Sequence, residues 1–122
     1  MYKIIVCDLD ETLISKDRTI SQENIQAIRQ ATEKGVIFVP CTGRGYNSVH
    51  NTTKELGLYG KEGQYVISYN GGAITENNDE KLLYFQGITF EEASSLYKKG
   101  LTYEHICIHI YTPDRVWVRN FY

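Results

Sequence analysis

Asp8 and Asp10 stand two residues apart, directly after the apolar run Ile4-Ile5-Val6-Cys7. While the backbone stays extended, side chains two apart leave the same face, about 6 to 7 Å from each other at the backbone. Two carboxylates held in this way can share one Mg²⁺ ion, or they can divide the roles of nucleophile and proton carrier. A calcium loop of the EF-hand type needs Asp or Asn at its fifth position and Gly at its sixth, and here Thr12 and Leu13 stand there. That reading fails.

The elements that must position the pair follow from the pattern around it. Four apolar residues with β-branched character predict a first strand, buried on both faces, with the acids at its end. After a polar loop from Leu13 to Arg18, Ser21 fits a helix N-cap, and Ile20 and Ile25 are placed to form a hydrophobic staple. The stripe Ile25, Ile28 and Thr32 beside Ala27 and Ala31 predicts a helix over about 21 to 34, stopped by Gly35. Val36 to Val39 predicts a second strand closed by Pro40, so residues 3 to 39 form a right-handed β-α-β unit. A weaker helix over 46 to 56 and a third strand, Tyr65 to Tyr69, complete an open parallel sheet. Ligands of such sheets bind beyond the carboxyl ends of the strands. Asp8 and Asp10, Thr42 to Gly45, and Asn70 to Gly72 all fall at that edge.

After Gly72 the alternation ends. Ala73 to Thr75 and Leu82 to Phe85 read as a hairpin, and Thr89-Phe90-Glu91-Glu92 as a capping box opening a helix that Gly100 stops. His105 to Ile110 alternates strictly and returns through Pro113-Asp114 as Val116-Trp117-Val118, an antiparallel hairpin with one face buried. The change of pattern puts a boundary at residue 86, giving segments 1–86 and 87–122.

Composition narrows the class. With 122 residues, 42% hydrophobic and 23% charged, the chain can bury a core. A formal charge of −2 leaves no electrostatic footprint for nucleic acid, and the ten tyrosines are too scattered to form a stacking platform. Three widely spaced cysteines, no apolar run of membrane-span length and no signal-peptide pattern point to the cytoplasm and exclude a membrane partner.

Two other constellations invite chemistry. Too few residues separate Cys41 from Arg44 to form the loop of a cysteine-dependent phosphatase, so Cys41 reads as a small buried residue. His105, Cys107 and His109 share one strand face, but His105 and His109 would lie about 13 Å apart along it. Three ligands cannot then converge on one ion at roughly 2.0 to 2.3 Å. An outward or substrate-facing row is expected, opposite Ile106, Ile108 and Ile110.

The string Asp8-Leu9-Asp10-Glu11-Thr12 resembles the Asp-x-Asp-x-Thr signature of the haloacid dehalogenase superfamily, in its phosphatase branch with two aspartates. Thr42 in Thr42-Gly43-Arg44 looks like the family's second motif. Ser68-Tyr69-Asn70-Gly71-Gly72-Ala73-Ile74 is similar to a segment of the Cof-type, sugar-phosphatase-like subfamily, in which an α/β cap follows the third strand. The resemblance implies an α/β fold: an incomplete Rossmannoid core of parallel strands over 1–86 and the start of an α+β cap over 87–122. It implies Mg²⁺-dependent hydrolysis of a small phosphorylated metabolite through an aspartyl-phosphate. Asp8 would be the nucleophile and Asp10 the acid and base, with the metal held by the Asp8 carboxylate and the Asp10 carbonyl. Thr42, Leu9 and Gly43 would bind phosphate, Arg44 and Asn70 would meet substrate, and Thr12 would brace the loop.

The family completes its site with a Lys and a Gly-Asp-x-x-x-Asp-like segment, and neither is matched in these 122 residues. The expectation is therefore the N-terminal portion of a longer enzyme, weakly active or inactive alone. In that case Ile4 to Cys7 would lie at an uncovered edge and favour self-association. Two alternatives of other classes remain: a non-catalytic phosphate- or metal-binding module, and a signalling receiver domain. The receiver needs an Asp after the third strand, where Tyr69-Asn70-Gly71 offers none.

Overall fold

A computed structural model describes residues 2 to 120; Met1 and the last two residues of the expected 87–122 segment lie outside the described residues. The chain divides into two compact units between Gln86 and Gly87.

The first unit is built on a five-stranded sheet in sequential order: β1 (Ile4–Asp8), β2 (Ile37–Cys41), β3 (Tyr65–Ser68), β4 (Ala73–Glu76) and β5 (Lys81–Phe85). The first three strands run parallel, and β4 and β5 add to the same sheet antiparallel. Helix α1 (Gln22–Glu33) joins β1 to β2. Ser21 caps it by accepting from the Asn24 amide at 3.2 Å, and the staple residues Ile20 and Ile25 are both buried. Between β2 and β3 the expected single helix is shorter and split: a 3₁₀ turn, Tyr46–Val49, runs into α2 (His50–Glu55). Asn47, Ser48, Thr52 and Thr53 are weak helix formers, so the segment is set by its buried anchors Tyr46, Val49, Thr53 and Leu56 instead.

Pro40 corrects a second expectation. It does not close β2 but lies inside it, opposite Cys7. Backbone N–H groups of alternate residues point to the same neighbouring strand, so the missing donor of Pro40 lies between those of Phe38 and Thr42. The Gln64 side chain serves Phe38 at 3.0 Å and the Ile67 carbonyl serves Thr42 at 2.9 Å. The strand therefore loses one ladder bond on its β3 side and none toward β1.

The first strand departs most from its local pattern. β1 is an edge strand, as expected for these residues alone, and Ile4, Ile5 and Val6 are 56%, 41% and 57% exposed, so the burial on both faces read from the apolar run does not hold. The apolar run was legible, but which strands flank it is a property of the whole sheet. Packing begins at half-buried Cys7 near the end of the strand, and Leu9, fully buried, joins Leu13, Ile14, Ile28, Phe38 and Val66 in the core.

The second unit comprises α3 (Phe90–Gly100) and a hairpin of β6 (Ile108–Tyr111) and β7 (Val116–Arg119). The capping box is complete. Thr89 N donates to Glu92 Oε2 at 2.7 Å, and Glu92 N to Thr89 Oγ1 at 3.2 Å. The strict alternation over 105–110 does not become one strand. His105 takes a left-handed backbone, φ 58°, and β6 starts only at Ile108, matching the four residues of β7. No residue of α3 is buried.

Candidate active site

Asp8 ends β1 in register with Cys41 of β2, so Thr42 emerges one residue further along the same sheet edge. Beyond Asp8 the chain coils at once. Leu13 N donates to Asp8 O at 3.3 Å and Ile14 N to Leu9 O at 2.8 Å, while Glu11 adopts φ 57°. Buried Leu9, Leu13 and Ile14 anchor this turn from below, which keeps Asp8, Asp10, Glu11 and Thr12 on its exposed side.

The coil changes what the two acids do. An extended backbone would have aimed both carboxylates one way, but the strand stops at Asp8. Thr12 Oγ1 donates to Asp8 Oδ2 at 2.7 Å, while the Arg44 guanidinium donates to both oxygens of Asp10, the Nε contact measuring 2.9 Å. Hydrogen bonds and charge from Arg44 hold the Asp10 carboxyl below its ordinary value. Asp10 is thus kept ionised in this arrangement.

The phosphate-binding expectation falls on a second, interlocked region. Thr42 is buried; its hydroxyl accepts from the Arg44 amide at 3.1 Å, and its carbonyl accepts from Asn70 N at 3.1 Å. Tyr69 N donates to Arg44 O at 3.0 Å. Asn70 sits at φ 55°, and its side chain lies so close to Gly43 that a Cβ there would stand 3.0 Å from Asn70 Oδ1. Gly45 is tighter still, since its Cβ would meet Tyr69 Oη at 2.6 Å. Small residues at 43 and 45 are what let the loops after β2 and β3 touch. Leu9 can contribute to anion binding only through its backbone, because its side chain is wholly inside the core.

Among the described residues, no three His, Cys, Asp or Glu side chains are grouped to hold a metal. Mg²⁺ fits the oxygens present nonetheless, because it accepts one or two protein ligands and keeps its waters. The Asp8 carboxylate is exposed and bound only on one oxygen by Thr12, which leaves a hard oxygen donor of the right kind.

The row Cys107, His109 and Tyr111 closes on itself: His109 Nε2 lies 3.2 Å from Cys107 Sγ and its Nδ1 3.2 Å from Tyr111 Oη. His105, outside the strand, is not on that row. Cys41 is half-buried rather than buried. What the sequence reading passed over is a cleft of about 500 Å³ beside Asp10, lined by Glu11, Ser15, Lys16, Arg18, Arg44 and Thr52 among others. The signal was two cations in the polar loop just after the signature string.

A mixed sheet whose parallel part ends in Asp-x-Asp-x-Thr, facing a Thr-Gly-Arg loop, is the arrangement of a phosphoryl-transfer hydrolase core. The chain belongs to the haloacid dehalogenase-like hydrolases: the family profile matches residues 5–121. It is similar to YxeH of Bacillus subtilis, at 33% identity over 120 residues, covering 94% of this chain and 44% of that protein. It is also similar to the 5-amino-6-(5-phospho-D-ribitylamino)uracil phosphatase YwtE of Bacillus subtilis, at 31% identity, covering 93% of this chain and 37% of the relative. A crystal structure of a haloacid dehalogenase-like hydrolase from Bacteroides thetaiotaomicron superposes with TM-score 0.84 at 29% identity, over 98% of this chain and 44% of that one. The chain therefore spans less than half the length of these relatives.

Proposed function

We propose that this chain carries the nucleophilic part of a Mg²⁺-dependent phosphomonoesterase acting on a small phosphorylated metabolite. The observation that carries the reading is Asp8: an exposed carboxylate at the end of a parallel strand, oriented by Thr12 at 2.7 Å and one residue out of register from buried Thr42. Mg²⁺, held by the Asp8 carboxylate and the Asp10 carbonyl, would offset the repulsion between an anionic nucleophile and a phosphate dianion. An Asp8 oxygen attacks phosphorus, the ester P–O bond breaks, and the alcohol leaves with a proton from Asp10. Water then attacks the aspartyl-phosphate, Asp10 takes the water's proton, and free phosphate departs. Thr42, the Leu9 backbone and Gly43 line the path of the phosphoryl oxygens, and Asn70 and Arg44 meet the substrate.

Arg44 sets a condition on this sequence. While it clamps Asp10, that carboxyl is a poor acid, so Arg44 must move to another anion before Asp10 can carry a proton. The substrate phosphate is such an anion. The same clamp is the observation that favours a second reading, a binding module that keeps the pocket without turnover.

The 122 residues alone are expected to turn over slowly, because the Lys and second acidic segment implied by the resemblance are not among them. The free thiols of Cys7, Cys41 and Cys107 support a reducing, cytoplasmic setting. Fluoroberyllate, a mimic of the aspartyl-phosphate, tests the site without needing turnover. Binding with Mg²⁺ by calorimetry, together with slow hydrolysis of para-nitrophenyl phosphate, should both vanish in Asp8→Asn. Hydrolysis that survives this substitution would sink the proposal, and fluoroberyllate binding without any hydrolysis would favour the binding module.

A further inference from the structure

The cleft beside Asp10 has an unbalanced lining. Asp10 is matched by Arg44, which leaves Lys16 and Arg18 facing Glu11 as the only other acid on the wall. Among the described residues neither cation lies within 4 Å of a carboxylate, although Arg18, after Arg44, helps hold the Asp10 carboxyl below its ordinary value. Asp17, the carboxylate between them in sequence, is engaged by Thr19, whose hydroxyl donates to it at 2.8 Å and whose amide donates at 3.2 Å.

The backbone that presents these cations is strained and pinned. Arg18 sits at φ 66°, a region that costs a non-glycine residue about 1 kcal/mol or more. Arg18 N donates to Ser15 O at 2.8 Å and Ser15 N to Thr19 O at 2.9 Å, closing a tight turn around Lys16 and Arg18.

We propose that Lys16 and Arg18 form an anion subsite on the leaving-group side of Asp10, so that the preferred substrate is a phosphomonoester whose alcohol part carries a second anionic group. This rests on the phosphomonoesterase reading, in which Asp10 faces the departing alcohol. Asp8 and Thr42, which would meet the reacting phosphate, do not line this cleft, so Lys16 and Arg18 are placed toward the alcohol. Arg44 is occupied by Asp10 and later by the phosphate, so Lys16 and Arg18 are the cations available to a second anion, phosphate or carboxylate. Ser15 and Thr52, on the same wall, can bond the hydroxyls of a polyol between the two.

The test compares a hexose monophosphate, a hexose bisphosphate and a phosphoglycerate, each titrated by calorimetry into the chain with Mg²⁺ and then assayed for phosphate release. One or both of the compounds with a second anionic group should bind about tenfold tighter than the hexose monophosphate at low salt. The advantage should shrink as ionic strength rises. Which of the two gains more identifies the second anion as phosphate or carboxylate. In the double variant Lys16→Gln/Arg18→Asn the advantage should disappear; Asn is chosen because it tolerates φ above zero. An advantage that persists in the variant, or that is absent in the wild type while fluoroberyllate still binds, overturns the subsite alone. If none of the three compounds nor fluoroberyllate binds, both readings fall. A binding preference without hydrolysis of any compound supports the subsite and favours the binding module over the hydrolase.

Discussion

Both units of this chain carry short-spaced residues able to do chemistry, and they fare differently. In the first, Asp8, Asp10 and Thr12 alternate with Leu9, Leu13 and Ile14, which are buried in the core, so each polar side chain stands on an anchored neighbour. In the second, Cys107, His109 and Tyr111 line a two-stranded hairpin whose other strand, Val116–Arg119, is exposed throughout. The first set reaches Arg44 across the sheet edge, whereas the contacts of His109 run to its strand neighbours Cys107 and Tyr111. A motif becomes a site when buried residues between its members fix its position against the rest of the sheet.

That comparison can be broken by removing an anchor from each unit. Leu9→Ala should cost about 2 to 5 kcal/mol of stability by leaving a cavity under the signature turn. Val118→Ala, on the half-exposed hairpin, should cost about 1 kcal/mol or less. Urea unfolding followed by circular dichroism measures both, and equal losses would contradict the contrast. Next in size is Gly45→Ala. Its Cβ would displace the Tyr69 ring, costing about 1 to 2 kcal/mol, and phosphate affinity should fall as the loops after β2 and β3 separate. Unchanged calorimetry with phosphate would show that this interlock is irrelevant to the site.

Smaller effects sharpen the picture. Thr12→Val removes the hydroxyl that orients Asp8 yet lies on the surface, so stability should stay within about 0.5 kcal/mol. Fluoroberyllate affinity should drop about tenfold. A matching loss of stability would recast Thr12 as a fold residue. The least perturbing change is Val6→Lys on the open edge of β1. We expect the wild-type chain to self-associate at micromolar concentration through that edge, and a charge there to leave a monomer at nearly unchanged stability. Light scattering decides; a monomeric wild type removes the idea.

Much of the fold was legible because its signals are local. The N-cap at Ser21, the capping box at Thr89 and the strand-helix alternation depend on residues within a few positions of each other. Expectations failed where a distant partner decides the outcome. Pro40 stays inside β2 because the register with β1 runs unbroken through it from Ile37 to Cys41, while pairing with β3 is limited to Cys41 and Ile67. The 46–56 helix breaks into a 3₁₀ turn and a shorter helix because core anchoring outweighs weak propensity. Lys16 and Arg18 were overlooked for a related reason: lone cations in a polar loop look like solvated surface until a cleft is seen beside them.

The sequence by itself determined which residues carry the signature, because Asp8, Asp10 and Thr12 lie within five positions of one another. It did not determine their directions, which the coil after Asp8 sets. Only the tertiary structure decided that Arg44 clamps Asp10 and that Asn70 packs on Gly43. Each of these is a meeting of segments brought together by sheet order and register, and those depend on how the whole core packs.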